Sequence, residues 1–152
     1  MIDLVLDWYE VAMASHVGWL RACKAKADGR PDARGFSGPG WDQHCEGACG
    51  ELAVARALGR YWSGSVDTWA AADLPGLQVK TSQRQDARLL VPRDAADGER
   101  YVLVVGVSPR FRICGWIDAR VAKRAEWLTD PSGHGRPLVY AVPQDALHPM
   151  DL

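Results

Sequence analysis

No apolar run in this sequence approaches the ~18 residues that a membrane span requires, so no transmembrane helix is expected. The opening MIDLVLDWYE carries acids where a secretion leader carries Lys or Arg, so no targeting segment is read and a cytoplasmic location is expected. An excess of charge is also missing. With a formal net charge of -1, the chain lacks the footprint of a protein that binds polyanions over its whole surface, and any nucleic-acid site must be a local patch. Cys23, Cys45, Cys49 and Cys114 show no CxxC spacing, and without a leader they are read as reduced thiols rather than a disulfide framework. There is no Gly-x-Ser-x-Gly elbow and no Walker loop, so serine-hydrolase and P-loop nucleotide chemistry find no support. Phenylalanine is scarce, two residues, against seven tryptophans.

What is present fits one domain over residues 1–152, long enough to bury a core without staples. Residues 3–28 read as an N-terminal helix that Asp3 caps and Gly29 ends. The Gly- and Pro-rich stretch 29–43 reads as a long loop, of the length that is usually functional or mobile. The core, 44–142, opens with a second helix in EGACGELAVARALG, with Leu52, Ala55 and Leu58 as its buried stripe. The period then changes: SVDTWAAAD, GLQVKTS, ARLLVP, YVLVVGV and FRICGWI read as strands, and LVVGV, apolar on both faces, as a central one. DARVAKRAEWL reads as a third helix and PLVYAVP as a last strand. The order implies an α/β or α+β class, with helices packed on a single mixed sheet.

The stretch DLPGLQVKTS concentrates the chemistry. Side chains alternate along a strand, so Gln78 and Lys80 share a face and Val79 points to the other. Leu74-Pro75-Gly76 turns the chain so that Asp73 lies beside them. A carboxylate, an amide oxygen, an amine and the Val79 carbonyl then converge, an oxygen-rich set of the kind Mg²⁺ takes while keeping waters. Glu51 is the second carboxylate, on a helix turn that Gly47 and Gly50 let approach the sheet closely.

Glu51 in a helix, then Asp73, then Gln78-Val79-Lys80 on a strand ahead of YVLVVGV, resembles the PD-(D/E)XK nuclease superfamily, nearest its small phage and archaeal Holliday-junction-resolvase-like members. The resemblance covers residues 47–117. It implies a restriction-endonuclease-like fold and an Mg²⁺- or Mn²⁺-dependent deoxyribonuclease acting in DNA recombination, repair or processing. By that similarity Asp73, Gln78 and Val79 would hold the metal, Glu51 would hold metal or position water, and Lys80 would be the catalytic lysine. The sequence departs from the pattern in reading Ala72-Asp73 for Pro-Asp, and in placing neutral Gln78 where a third acid is common.

DNA contacts are expected from Arg84, Arg88, Arg110 and Arg112, with Arg93 in the same group, because arginine suits bidentate phosphate contact. Lys24, Lys26, Arg30 and Arg34 form a second basic stretch, with Trp41 beside it for base stacking. Trp62, Trp69, Trp116 and Trp127 read as core or rim residues. His44, Cys45 and Cys49 offer a zinc reading that lacks a nearby fourth ligand, against one of small buried cysteines. Glu46 reads as an N-terminal helix acid. Two further functions stay open: a DNA-binding module of the same fold that does not cut, and a phage structural or host-interaction protein. A homodimer would suit two-strand cleavage.

Overall fold

The computed structural model describes residues 1–30, 40–68, 71–131, 133, 135 and 137–150. The expected α+β class is what is seen. Among the described residues, β1 (Ile2–Val5), α1 (Trp8–Ala27) and α2 (Trp41–Ala57) precede β2 (Leu77–Ser82), β3 (Leu89–Pro92), β4 (Arg100–Val107) and β5 (Arg110–Asp118). The short α3 (Ala119–Ala122), β6 (Leu128–Thr129) and β7 (Val139–Val142) follow.

The strands divide between two sheets rather than forming one. A four-stranded sheet has the order β1-β5-β4-β2, mixed because β2 runs parallel to β4 and the other pairs are antiparallel; a three-stranded sheet has the order β3-β7-β6. β4 explains the division. Both its faces are apolar, so each must be covered: Val102 and Val104 pack with Ala48, Ala53 and Val54 of α2, while Tyr101, Leu103 and Val105 pack with Leu89, Val91 and Val142 of the smaller sheet. A layer of helices and a second layer of strands thus sandwich the larger sheet.

Several local expectations give way to pairing. The helix read over 3–28 is a strand followed by a helix, because Ile2 and Leu4 line up antiparallel with Ile113 and Phe111 of β5. Asp7, not Asp3, begins α1, and the Glu10 carboxylate reaches back to accept its N–H at 2.7 Å. The loop read over 29–43 is shorter, since α2 already starts at Trp41; residues 31–39 lie outside the described set. The strand read over 65–73 is a series of bends in its described part, followed by a single bridge between Leu74 and Leu77. The third helix is one α turn followed by a 3₁₀ turn, Ala125–Trp127, because Lys123 leaves helical geometry at ψ 59.

α1 and α2 touch closely. Ala14, Gly18 and Ala22 are the buried residues of α1, and a Cβ on Gly18 would fall on the His44 carbonyl oxygen and 2.5 Å from Cys45 Cα. Helix propensity alone favours Ala over Gly by ~1 kcal/mol, but here the methyl meets backbone that cannot rotate away. Gly18→Ala is therefore expected to destabilise the fold by about 2 kcal/mol, as overpacking does. Thermal unfolding followed by circular dichroism checks this, and an unchanged or raised Tm would contradict the close approach.

Candidate functional site

The turn at Pro75-Gly76 is closed in both directions: Leu77 N–H donates to the Leu74 carbonyl at 2.9 Å, and Leu74 N–H to the Leu77 carbonyl at 3.2 Å. It brings Asp73 alongside the outer edge of β2, where the Asp73 Oδ2 accepts the Val79 N–H at 2.7 Å. Among the described residues β2 is the last strand of its sheet, with no further strand on that edge. In an extended chain a residue's N–H and C=O point to the same edge, so the Val79 carbonyl faces the Asp73 side as well. Leu77 and Val79 are buried in the core under α2, which turns Gln78 and Lys80 to the opposite face.

Glu51 comes in from α2 and is 6% exposed. Gly50 allows this approach, since a Cβ there would fall on the Thr81 hydroxyl of β2. Both Glu51 oxygens are engaged. The Arg21 guanidinium of α1 donates to Oε1 at 2.6 Å and Oε2 at 3.0 Å, and the Trp62 indole N–H donates to Oε2 at 3.0 Å. Arg21 Nε meanwhile donates to the Ser65 carbonyl at 2.9 Å, tying the network to the segment that leads to Asp73.

Arg21, His44, Asp67, Asp73, Gln78 and Lys80 line one cleft of about 240 Å³. Burial first, and then the neighbouring Glu51 charge, push the Asp73 carboxyl above the ordinary carboxylate range; Lys80, the Val79 N–H and Arg21 pull it back only in part. Such a pair of carboxylates, Glu51 buried and Asp73 half-buried, is relieved by a cation. The oxygen donors gathered about Asp73 are its own carboxylate, the Gln78 amide, the Val79 carbonyl and Glu51, whose oxygens already serve Arg21 and Trp62, while His44 and Asp67 stand elsewhere on the lining. That set suits Mg²⁺ or Mn²⁺ rather than a thiophilic metal. Among the described residues no group of three or more His, Cys, Asp or Glu side chains could hold a metal ion, so an ion here would rely on amide, carbonyl and water oxygens.

Gln78 has a carboxylate neighbour that the sequence reading passed over. Its amide nitrogen lies 3.5 Å from Glu99 Oε1, while Glu99 Oε2 accepts the Tyr101 hydroxyl at 2.8 Å. Burial and this bond to Glu99 push the Tyr101 phenol up, which keeps it a donor. Arg21, Trp62, Glu99 and His44 were all missed as members of the site. The Ala14, Gly18, Ala22 spacing was the one available signal, because it marks the face of α1 that packs on α2, with Arg21 beside it.

The expected DNA contacts within the described residues fall into four places. Arg84 and Arg88 share with Lys80 a groove of about 430 Å³ between the sheets, with Arg84 paired to Asp86 at 3.0 Å. Arg110 and Arg112 line a separate depression with Asp3, which Arg112 meets at 2.7 Å. Lys24 pairs with Asp28 at 2.6 Å and reaches Asp67 on the cleft rim at 3.7 Å, and Lys26 sits 3.9 Å over the Trp41 ring. Arg34 and Trp69 lie outside the described residues. Arg93 lines another cavity with Asp94.

Trp62 and Trp116 pack against the helix-side core and Trp127 against the other. Cys45 and Cys49 pack at the α1–α2 contact, where the Cys45 thiol lies 3.3 Å from the Ser15 carbonyl and burial pushes the Cys49 thiol up to about 11. Glu46 is not a first-turn acid: it accepts the Ser108 N–H at 2.9 Å and hydroxyl at 2.7 Å, pinning the β4–β5 turn to α2. No helix among the described residues is long and apolar enough to cross a membrane. Neither family models, nor curated proteins, nor solved structures give a match to this chain.

Proposed function

We propose that this chain is a divalent-metal-dependent deoxyribonuclease of the PD-(D/E)XK type, hydrolysing DNA phosphodiester bonds in the cleft around Asp73. The supporting observation is the half-buried Asp73 carboxyl, its titration raised by burial and by the Glu51 charge, in one cleft with Gln78 and Lys80. Asp73, Gln78 and the Val79 carbonyl would hold Mg²⁺ or Mn²⁺. A bound ion lowers the pKa of coordinated water and offsets charge on phosphate. Lys80, whose charge already acts on Asp73, orients the attacking water and stabilises charge at phosphorus. Arg21 fixes the Glu51 carboxylate, and the groove from Lys80 past Arg84 and Arg88 holds the flanking phosphates.

A DNA-binding module that does not cut is the second reading, favoured by neutral Gln78 and by the engagement of both Glu51 oxygens. Labelled duplex, junction, flap and single-stranded DNA incubated with Mg²⁺ or Mn²⁺ separates the two. Cutting by the wild type, reduced roughly 10²-fold or more in Lys80→Ala, supports the nuclease. Salt-dependent binding without cutting supports the module, and neither binding nor cutting overturns both.

A further inference from the structure

α1 wears its apolar residues inside out. Its buried residues are the small Ala14, Gly18 and Ala22, whereas Trp8 is 82% exposed, Met13 56%, Tyr9 54%, Trp19 47% and Leu20 36%. A surface helix ordinarily turns its large apolar residues to the core. Tyr9, Met13, His16 and Leu20 follow one another by four, three and four positions, so they form one stripe, with Trp8, Ala12 and Trp19 beside it. Over the 20 residues of α1 the face is about 30 Å long. Contiguous exposed apolar surface of this kind marks an interaction site.

We propose that a second copy of this chain covers this face, the two α1 helices packing antiparallel about a two-fold axis at His16. Charge selects the occupant. α1 begins with Asp7 and Glu10, which share Arg56, and ends with Lys26 and with Lys24, which pairs with Asp28; an acidic excess at one end and a basic excess at the other remain, so an antiparallel pair sets opposite signs together twice, whereas a parallel pair opposes like signs. A net charge of -1 leaves little overall repulsion between copies. The register is also complementary in size: Ala12 falls opposite Leu20, Met13 opposite Trp19 and Tyr9 opposite Cys23. A DNA strand is a poorer occupant, because the acidic end of the helix repels phosphate. This pairing does not depend on whether the cleft cuts DNA. A single helix face lies at the small end of specific interfaces, which corresponds to a dissociation constant on the order of micromolar.

Sedimentation or light scattering of the full chain at tens of micromolar is expected to give twice the 16.7 kDa chain mass. Met13→Glu with Leu20→Glu is expected to halve it, with circular dichroism and Tm kept, because neither side chain belongs to the core clusters. In a Cys23→Ser background, His16→Cys is expected to form a disulfide-linked dimer on oxidation, and Trp8→Cys is not. A monomeric wild type, or a dimer that survives the double substitution, overturns the proposal. Cross-linking through Trp8→Cys but not His16→Cys overturns the antiparallel arrangement.

Discussion

Asp73→Asn is expected to abolish DNA cleavage and at the same time raise thermal stability. The Asp73 carboxyl titrates above its ordinary value in the folded protein, chiefly because it is buried and then because Glu51 is near. Between the unfolded value of about 3.9 and the higher folded one, the native state therefore binds more protons than the unfolded state. Stability tied to this group is present at low pH and is lost as pH rises through that window. At neutral pH the ionised carboxylate is a net cost. Asparagine removes the charge while keeping an oxygen to accept the Val79 N–H, so a gain on the order of 1 kcal/mol, or about 3 °C in Tm, is expected.

The same change removes the anionic oxygen donor of the cleft, and a loss of roughly 10³-fold in cleavage is expected. Opposite signs for stability and activity are what a carboxylate retained for function gives. A thermal scan at pH 7 and at pH 4, run beside the cleavage assay, reads both. The stability gain should shrink at the lower pH. A lowered Tm at neutral pH would mean that the Asp73 charge serves the fold, and undiminished cutting would remove Asp73 from the chemistry.

Arg21→Met is expected to cost about 3–5 kcal/mol, lowering Tm by roughly 6–20 °C. The guanidinium supplies two of the three donors to a carboxylate that is 6% exposed, and methionine leaves that charge with Trp62 alone. Removing both charges, Arg21→Met with Glu51→Leu, should recover most of the loss, because a buried pair replaced by apolar side chains of similar volume no longer needs solvation. Denaturant titration of the two variants and the wild type checks this. A single variant within 1 kcal/mol of wild type would show that the pair is hydrated in solution. If Glu51 also takes part in cation binding, Mg²⁺ should raise the Tm of Arg21→Met more than that of the wild type.

Much of the cleft was legible along the chain because its signals are local. The Pro75-Gly76 turn, the alternation that sets Gln78 and Lys80 on one face, and the two-sided apolarity of β4 each rest on neighbours within a few residues. The second helix was legible too, and its buried face in part: Ala55 is fully buried as expected and Leu52 and Leu58 only partly, while Ala48, Ala53 and Val54 complete the face, since α2 lies between α1 and the sheet and needs small residues. The largest error has a long-range cause. Residues 2–5 are a strand because β5, more than a hundred residues later, supplies the partner, and no local period encodes that distance.

The sequence alone therefore determined the α+β class, the turn that returns Asp73 to β2, and the order of β2 to β5 along the chain, through periodicity and turn chemistry. Tertiary structure decided the rest: two sheets instead of one, Arg21 and Trp62 on Glu51, Glu99 beside Gln78, and large apolar residues left outside on α1. The physical reason is that these depend on which faces meet. α2 occupies the small-residue side of α1, β4 must be covered on both sides, and a buried carboxylate takes its partners from whichever elements pack against it.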